Sequence, residues 1–308
     1  MKLRYLLWTT LTVGAGCASV PRPCAPVADP LGAVALQTKA PDLTCLQGYQ
    51  WRPVAAPRGV VVIVHGIRDH ALRYRALADA LTEQGLVVFA QDMRGHGRSG
   101  GDRQRFDSLE QLVGDTDLLV SAARSQYPGL RLFMYGHSLG GLITTEYALA
   151  HPDRVDGVIL SGAALRLLPG VGALDRTAAR FFSVVAPGLQ AQEVDDSEFV
   201  REAASKAELA QDPLVDHGNL PAASAGAVVN ALDTLPARLA EPKMPLLIMH
   251  GTVDKATNAE GSKALYAQAT SPDKTLKLWD GLYHDLLHEP ERDQVIRTTV
   301  AWVVERLR

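Results

Sequence analysis

Leu132-Phe133-Met134-Tyr135-Gly136-His137-Ser138-Leu139-Gly140-Gly141 is the stretch on which the reading of the chain turns. An apolar run leads into G-x-S-x-G, and an apolar helix-forming segment follows at once. At a sharp strand-to-helix corner of this kind the serine hydroxyl stands clear of the sheet, and small residues must flank it. Gly136 and Gly140 supply that room, and the Leu139 N–H is placed to meet negative charge developing on a bound carbonyl oxygen. Chance alone gives roughly 0.1 such pattern in a chain of ordinary glycine and serine content, so the corner needs partners elsewhere in the sequence to mean anything.

Outward from it the chain alternates. Gly59-Val60-Val61-Val62-Ile63-Val64-His65-Gly66 and Leu86-Val87-Val88-Phe89-Ala90 are continuous β-branched or apolar runs ending near glycine or a glycine-rich loop. Runs of this type read as strands buried on both faces, the mark of a parallel sheet. Leu72 to Gln84 reads as a helix stopped by Gly85, and Ser108-Leu109-Glu110-Gln111 has the form of a capping box opening a helix to about Ser125. Leu139 to Ala150 is the helix of the corner, ended by Pro152. Further strands are expected at Gly157–Ser161, Met244–Gly251 and Thr275–Trp279, with helices at Asn258–Ala269 and Pro290–Leu307. Leu46 to Arg52 is expected as an edge strand. Between about 163 and 238 the alternation fails: the segment is alanine- and leucine-rich, broken by Pro169, Pro187, Pro213 and Pro221, and shows no strand pattern. A helical insertion over the carboxyl ends of the strands, where open α/β sheets bind ligands, would act as a cap.

Length and composition fit this picture. The 308 residues suffice for one large α/β domain with an insertion, and 47% hydrophobic with 21% charged content is ordinary for a globular chain. A net charge of −3 carries no nucleic-acid footprint. No repeat is visible. The N-terminus stands apart: Lys2 and Arg4 precede an apolar run from Tyr5 to Val13, then Gly14-Ala15-Gly16-Cys17. The order basic, apolar, small is that of a secretory leader, too short to span a bilayer stably. Its end resembles the lipobox of bacterial lipoproteins, with Gly14 where Leu or Val is usual, which implies lipidation at Cys17 and an exported, membrane-anchored protein. Residues 1–17 are thus expected as signal, 18–42 as a Pro- and Ala-rich tether, and 43–308 as the α/β domain with its cap. Cys24 and Cys45 remain, either as a disulfide in an oxidising compartment or as two free thiols.

A serine hydroxyl is a weak nucleophile unless an oriented base takes its proton. In this topology the acid and then the histidine should follow the serine, each after a later strand. Asp254, in Gly251-Thr252-Val253-Asp254, fits the acid, and His284, in Gly281-Leu282-Tyr283-His284-Asp285, fits the base. Asp280 and Asp285 compete for the first role, although Asp285 adjoins the histidine and is poorly placed to orient its ring. His288 competes for the second. His65 and His96 sit in glycine-containing loops and read as holders of backbone; His70, His137, His151, His217 and His250 complete the histidines. The second oxyanion donor belongs in His65-Gly66-Ile67-Arg68-Asp69-His70, where Ile67 N–H holds the position. No metal-ligand spacing stands out, and the Arg94 to Gly101 loop lacks the G-x-G-x-x-G order of a dinucleotide site. No cofactor is expected.

Four segments carry a family resemblance: His65 to Tyr74, Arg94-Gly95-His96-Gly97-Arg98-Ser99, Gly136-His137-Ser138-Leu139-Gly140-Gly141, and Gly281 to Glu289. Together they resemble the monoacylglycerol lipase and lysophospholipase branch of the α/β-hydrolase superfamily, over about Leu46 to Arg308. The resemblance implies an α/β-hydrolase fold: a mostly parallel central sheet, helices on both faces and a helical cap. It implies Ser138 as nucleophile, Asp254 as orienting acid, His284 as base, and Ile67 and Leu139 as oxyanion donors. It also implies a small acyl-ester or lipid substrate, while a membrane surface is expected as partner through the N-terminal lipid anchor. A short-chain carboxylesterase, thioesterase or acyltransferase would use the same three residues; a lipid-binding lipoprotein without catalysis would have no need of all three.

Overall fold

In the computed structural model, which describes residues 24–25, 32–192 and 196–307, the apolar runs become one eight-stranded sheet. Cys17 and the expected leader lie outside the described residues. In chain order the elements are β1 (Val34–Lys39), β2 (Cys45–Trp51), β3 (Gly59–Val64), α1 (Arg75–Glu83), β4 (Leu86–Gln91), α2 (Leu109–Gln126), β5 (Leu132–His137), α3 (Leu139–Ala150) and β6 (Gly157–Ser161). The inserted segment holds α4 (Ala173–Val185), β7 (Gln190–Gln192), α5 (Ala203–Gln211), β8 (Leu220–Pro221) and α6 (Ala222–Thr234). The sheet resumes with β9 (Leu246–Gly251), α7 (Ala259–Gln268), β10 (Lys274–Trp279) and α8 (Arg292–Glu305).

The strand order is β1-β2-β4-β3-β5-β6-β9-β10, parallel from β4 to β10 and antiparallel at β1 and β2. Side chains alternate across the strands, so the continuous runs bury two faces at once. Val60, Val62, Val64, Met134, Leu160 and Ile248 face the layer of α2 and α3. Val61, Ile63, Phe133, Tyr135, Ile159 and Met249 face the layer of α1 and α8. The chain leaves β3 first toward β4 and later, through β5, to the other side. That reversal opens a crevice at the carboxyl ends of β3 and β5, the usual ligand position in such sheets.

The helices follow their sequence signals closely. Ser108 Oγ accepts from Gln111 N at 3.2 Å and starts α2. Gly85 closes α1 at a φ of 77°, in the left-handed region that favours glycine. The segment before α1 differs from the expected single helix: Ala71–Tyr74 is a 3-10 turn.

Two expectations are corrected at the N-terminus. Residues 18–42 are not all tether, because Val34–Lys39 pairs antiparallel with β2 from Val34↔Gln50 to Lys39↔Cys45. Leu46–Arg52 is consequently no edge; β2 lies between β1 and β4. Main-chain hydrogen bonds drive this pairing, and only Leu36 of β1 adds packing to the main core, so the composition carries little sign of it. The open cysteine question resolves as a disulfide between Cys24 and Cys45, which ties the start of the described chain to β2.

The cap is helical as expected, with one addition: β7 and β8 form a short antiparallel ribbon. Two- and three-residue strands, one holding Pro221, are too short for a period-two pattern to register. The alanines of α6 have a structural reason. A Cβ on Gly226 would come within 2.5 Å of Ser183 Cβ, so small residues let α4 lie close on α6. Arg176 and Arg180 of α4 both pair with Asp233 of α6.

Candidate active site

Ser138 sits between β5 and α3 at φ 54°, ψ −121°, a conformation that side chains rarely adopt. Such a backbone costs on the order of 1–3 kcal/mol and persists only where the surroundings hold it. Here Ser138 N donates to Ser161 O at 3.0 Å, and Ser138 O accepts from Gly141 N and Ala164 N, both at 3.0 Å. The glycines are forced by contact. A Cβ on Gly140 would lie 2.1 Å from Val64 O, and one on Gly136 would lie 2.5 Å from Gly140 O. The G-x-S-x-G spacing therefore encodes a corner that no larger side chain fits.

Asp254 and His284 come together as the sequence order predicts. Asp254 Oδ2 accepts from His284 Nδ1 at 2.8 Å, and both side chains are buried. Oδ1 accepts from Ala256 N at 2.8 Å and Thr257 N at 2.9 Å, so the turn after β9 fixes the carboxylate. Burial alone would raise the Asp254 carboxyl, but the imidazoles of His284 and His250 outweigh it and hold the carboxyl far below the ordinary range. Burial would lower His284; attraction to Asp254 reverses that and holds it above the ordinary histidine value. With Nδ1 on Asp254, Nε2 is the nitrogen left for a substrate-side proton. Among the described residues no hydrogen bond joins Ser138 Oγ to His284; the two side chains line the same two cavities.

Ile67 and Leu139 also line the larger cavity beside Ser138. Among the described residues neither N–H donates to a backbone carbonyl, which leaves both available to an oxyanion. The cap pins the Ile67 loop: Arg68, at φ 64°, donates through its guanidinium to His217 O at 2.7 Å and Gly218 O at 2.8 Å.

The larger cavity, about 250 Å³, is bounded by Phe106, Leu139, Leu168, Phe199, Leu220 and Val228. At its rim Lys255, the neighbour of Asp254, pairs with Glu198 of the cap at 2.8 Å. A second recess of about 10 Å³ shares Ser138 and His284 and is walled by the charged Arg68, Asp69, Arg73 and Asp285 and the apolar Phe199, Leu209 and Val215.

Behind that recess lies a charged network that the sequence alone did not reveal. Arg73 donates to Asp69 Oδ1 at 3.1 Å and to Asp285 Oδ2 at 3.0 Å, and Tyr74 Oη donates to Asp69 Oδ2 at 2.8 Å. Burial would raise Asp69; Arg73 together with His65 and His70 outweighs it and lowers the carboxyl to about 2. Asp285, the competitor set aside for the acid role, turns to Arg73 and has His288 Nδ1 2.8 Å away. His65 and His96 hold backbone, as expected. His65 Nε2 accepts from Met93 N at 2.8 Å, and burial lowers both rings to about 4. His250 and Thr257 on Asp254 were also missed; their one signal was that each lies within four residues of the acid.

A family profile described as serine aminopeptidase, S33, matches residues 55–291. A monoacylglycerol lipase of Mycolicibacterium smegmatis is 37% identical over 257 residues, 83% of this chain and 92% of that protein. The monoglyceride lipase of Homo sapiens is 31% identical over 259 residues, 83% of this chain and 86% of its own length. Among solved structures, the monoacylglycerol lipase of Paleococcus ferrophilus superposes with a TM-score of 0.76 at 30% identity, covering 84% of this chain and 99% of that one. The chain belongs to the serine aminopeptidase S33 family of α/β-hydrolases, and it is a serine hydrolase similar to the members named monoacylglycerol lipase.

Proposed function

We propose that the protein hydrolyses the carboxylic ester of a monoacyl lipid, a monoacylglycerol or a lysophospholipid, through an acyl-enzyme on Ser138. The observation that carries this reading is the cavity at the serine: Ser138 and His284 line a mostly apolar space of about 250 Å³ roofed by the cap, with a small recess bordered by Arg68, Asp69, Arg73 and Asp285 beside them. An ester with a single apolar acyl chain suits that cavity. The relatives named for monoacylglycerol add support.

Ser138 Oγ attacks the ester carbonyl while His284 Nε2 takes its proton, and Asp254 stabilises the imidazolium that forms. The N–H groups of Ile67 and Leu139 receive the oxyanion; in other hydrolases, loss of one such donor costs about 2.7–4 kcal/mol. Collapse of the tetrahedral species breaks the bond to the alcohol oxygen, which leaves with the proton from His284. Water then attacks the acyl-enzyme with His284 again as base, releasing the fatty acid and restoring the Ser138 hydroxyl. Asp254, held by two backbone donors, keeps the ring oriented throughout.

An engineered cavity of about 150 Å³ takes a benzene ring. By that measure 250 Å³ encloses about eight to ten carbons, with longer chains passing out at the mouth.

The membrane setting belongs to the same proposal. The leader pattern ending at Cys17 supports an exported bacterial lipoprotein, and the Cys24–Cys45 disulfide is in keeping with an oxidising compartment. Leu174, Phe181, Val184 and Val185 of α4 are exposed on the cap, which suits work at a lipid surface.

The test is a hydrolysis panel of monoacylglycerols, lysophospholipids, short esters and thioesters. The proposal expects the highest kcat/KM on a monoacyl lipid. A preference for short esters or thioesters, or acyl transfer to alcohol outrunning hydrolysis, would replace it.

A further inference from the structure

Asp254 Oδ2 carries a second imidazole. His250 Nε2 lies 3.0 Å from the same oxygen that accepts from His284 Nδ1 at 2.8 Å. His250 is the penultimate residue of β9, four residues before Asp254, and is fully buried. Its other nitrogen, Nδ1, is 2.8 Å from Ser262 Oγ, and Ser262 is itself fully buried on α7. The Thr257 hydroxyl completes the cluster, 2.8 Å from Asp254 Oδ2 and 3.3 Å from His250 Nε2.

The chemistry of these contacts selects one arrangement. A lone pair on Nε2 facing an ionised carboxylate would be repelled, so Nε2 carries the proton and donates. Nδ1 is then an acceptor, and the Ser262 hydroxyl is the donor in reach of it. The result is a hydrogen-bonded row from Ser262 through His250 and Asp254 to His284.

We propose that His250 is a positioning residue of this site: its Nε2–H shares Asp254 Oδ2 with His284 and limits how strongly the carboxylate draws the proton of the catalytic imidazole. The proposal rests on Asp254 and His284 acting with Ser138 as set out above. A carboxylate with several donors is a weaker partner for any one of them. Without His250 the buried Oδ2 would turn more of its charge on His284, sharing it only with the Thr257 hydroxyl. The imidazolium would be favoured, and the base would be lost to protonation at a higher pH. The other charged or titratable groups around His284 are His137, whose ring centroid is 4.7 Å away, Arg68, Asp69, Arg73 and Asp285 at the recess, and Glu198 and Lys255 at the larger cavity. The hydrogen bonds and ion pairs of the His250 ring run to Ser262, Thr257 and Asp254, so its contribution is separable from theirs.

The test compares His250→Leu, which removes the donor and keeps bulk, with His250→Gln, whose amide can donate again. In His250→Leu the acid limb of the kcat/KM profile should move up by about half a pH unit or more, with kcat lowered and KM little changed. In His250→Gln the limb should return toward the wild-type position. A limb that stays put in both variants, with loss of thermal stability alone, would overturn the proposal. Nitrogen-15 histidine NMR of the unmutated protein needs no variant to fold. It should find the ring proton of neutral His250 on Nε2 and none on Nδ1; the opposite tautomer would overturn the proposal too. Either failure leaves the triad standing, whereas ester hydrolysis surviving in Ser138→Ala would remove the triad itself.

Discussion

Asp285 follows His284 directly in the chain, yet it binds Arg73, 212 residues away, at 3.0 Å. The same guanidinium reaches Asp69, so one buried cation joins the loop after β3 to the loop after β10. These two loops carry Ile67 and His284. Arg73 thus ties the loop of the proposed oxyanion donor to the loop of the proposed base. Replacing it with alanine leaves two buried carboxylates without their shared partner. Breaking a buried pair in this way costs about 3–5 kcal/mol. Thermal denaturation of Arg73→Ala should show a Tm lower by roughly 10 °C; a change within two degrees would count against the network.

The Asp69 carboxyl gives the network a pH signature. Its folded value of about 2 lies below the unfolded aspartate value near 3.9. A lowered carboxyl stabilises above the unfolded value, and that contribution is lost as pH falls toward the folded one. Stability should therefore decline between about pH 4 and pH 2. In Asp69→Asn the decline over that window should be shallower, as followed by urea titration at stepped pH.

Activity should fall on the acid side for a different reason. Asp254 holds His284 above the ordinary histidine value of about 6.5. The base acts only when neutral, so the acid limb of kcat/KM should centre above pH 6.5. Because the folded value is raised, the His284–Asp254 attraction stabilises the fold below about pH 6.5 and is lost as pH rises through the folded value. A limb centred below pH 6 would contradict the described geometry.

Much of this was legible in the sequence, and the reasons are physical. The elbow was readable because its glycines are forced by contacts as short as 2.1 Å, so the pattern cannot drift. The helix after it runs from Leu139 to Ala150, the expected bounds, because Ser138 and Pro152 punctuate it. Asp254 and His284 were readable by their order behind β9 and β10. The strand β1 was not, since an edge strand with mostly exposed side chains carries little hydrophobic pattern. Arg73 with Asp285 was not either: a pair 212 residues apart leaves no trace in local spacing.

The Cys24–Cys45 disulfide closes a loop across a sequence separation of 21 residues. A loop of that size stabilises by about 3 kcal/mol through the unfolded chain. Reduction, or Cys45→Ser, should lower the Tm by several degrees and leave the pH profile of hydrolysis where it was. An unchanged Tm would mean that the N-terminal strand is held by its main-chain ladder alone.

Acyl-chain length reads the larger cavity. On a series of monoacylglycerols, kcat/KM should climb to about ten carbons and then level as further methylenes reach the mouth. Val228→Phe should cut kcat/KM on the longer esters by about tenfold while sparing short ones. An equal loss across the series would place the chain elsewhere.

Cys17→Ser reads the anchor separately: the protein should move from the membrane fraction to the soluble one, and an unchanged distribution would argue against lipidation there.

The central claim is that Ser138 carries the acyl group. A fluorophosphonate reagent, followed by mass spectrometry of the labelled peptide, tests it most directly. One label per chain should sit on Ser138, be absent from Ser138→Ala, and be prevented by a monoacylglycerol in competition. A label on another residue, or ester hydrolysis that persists in Ser138→Ala, would contradict the account.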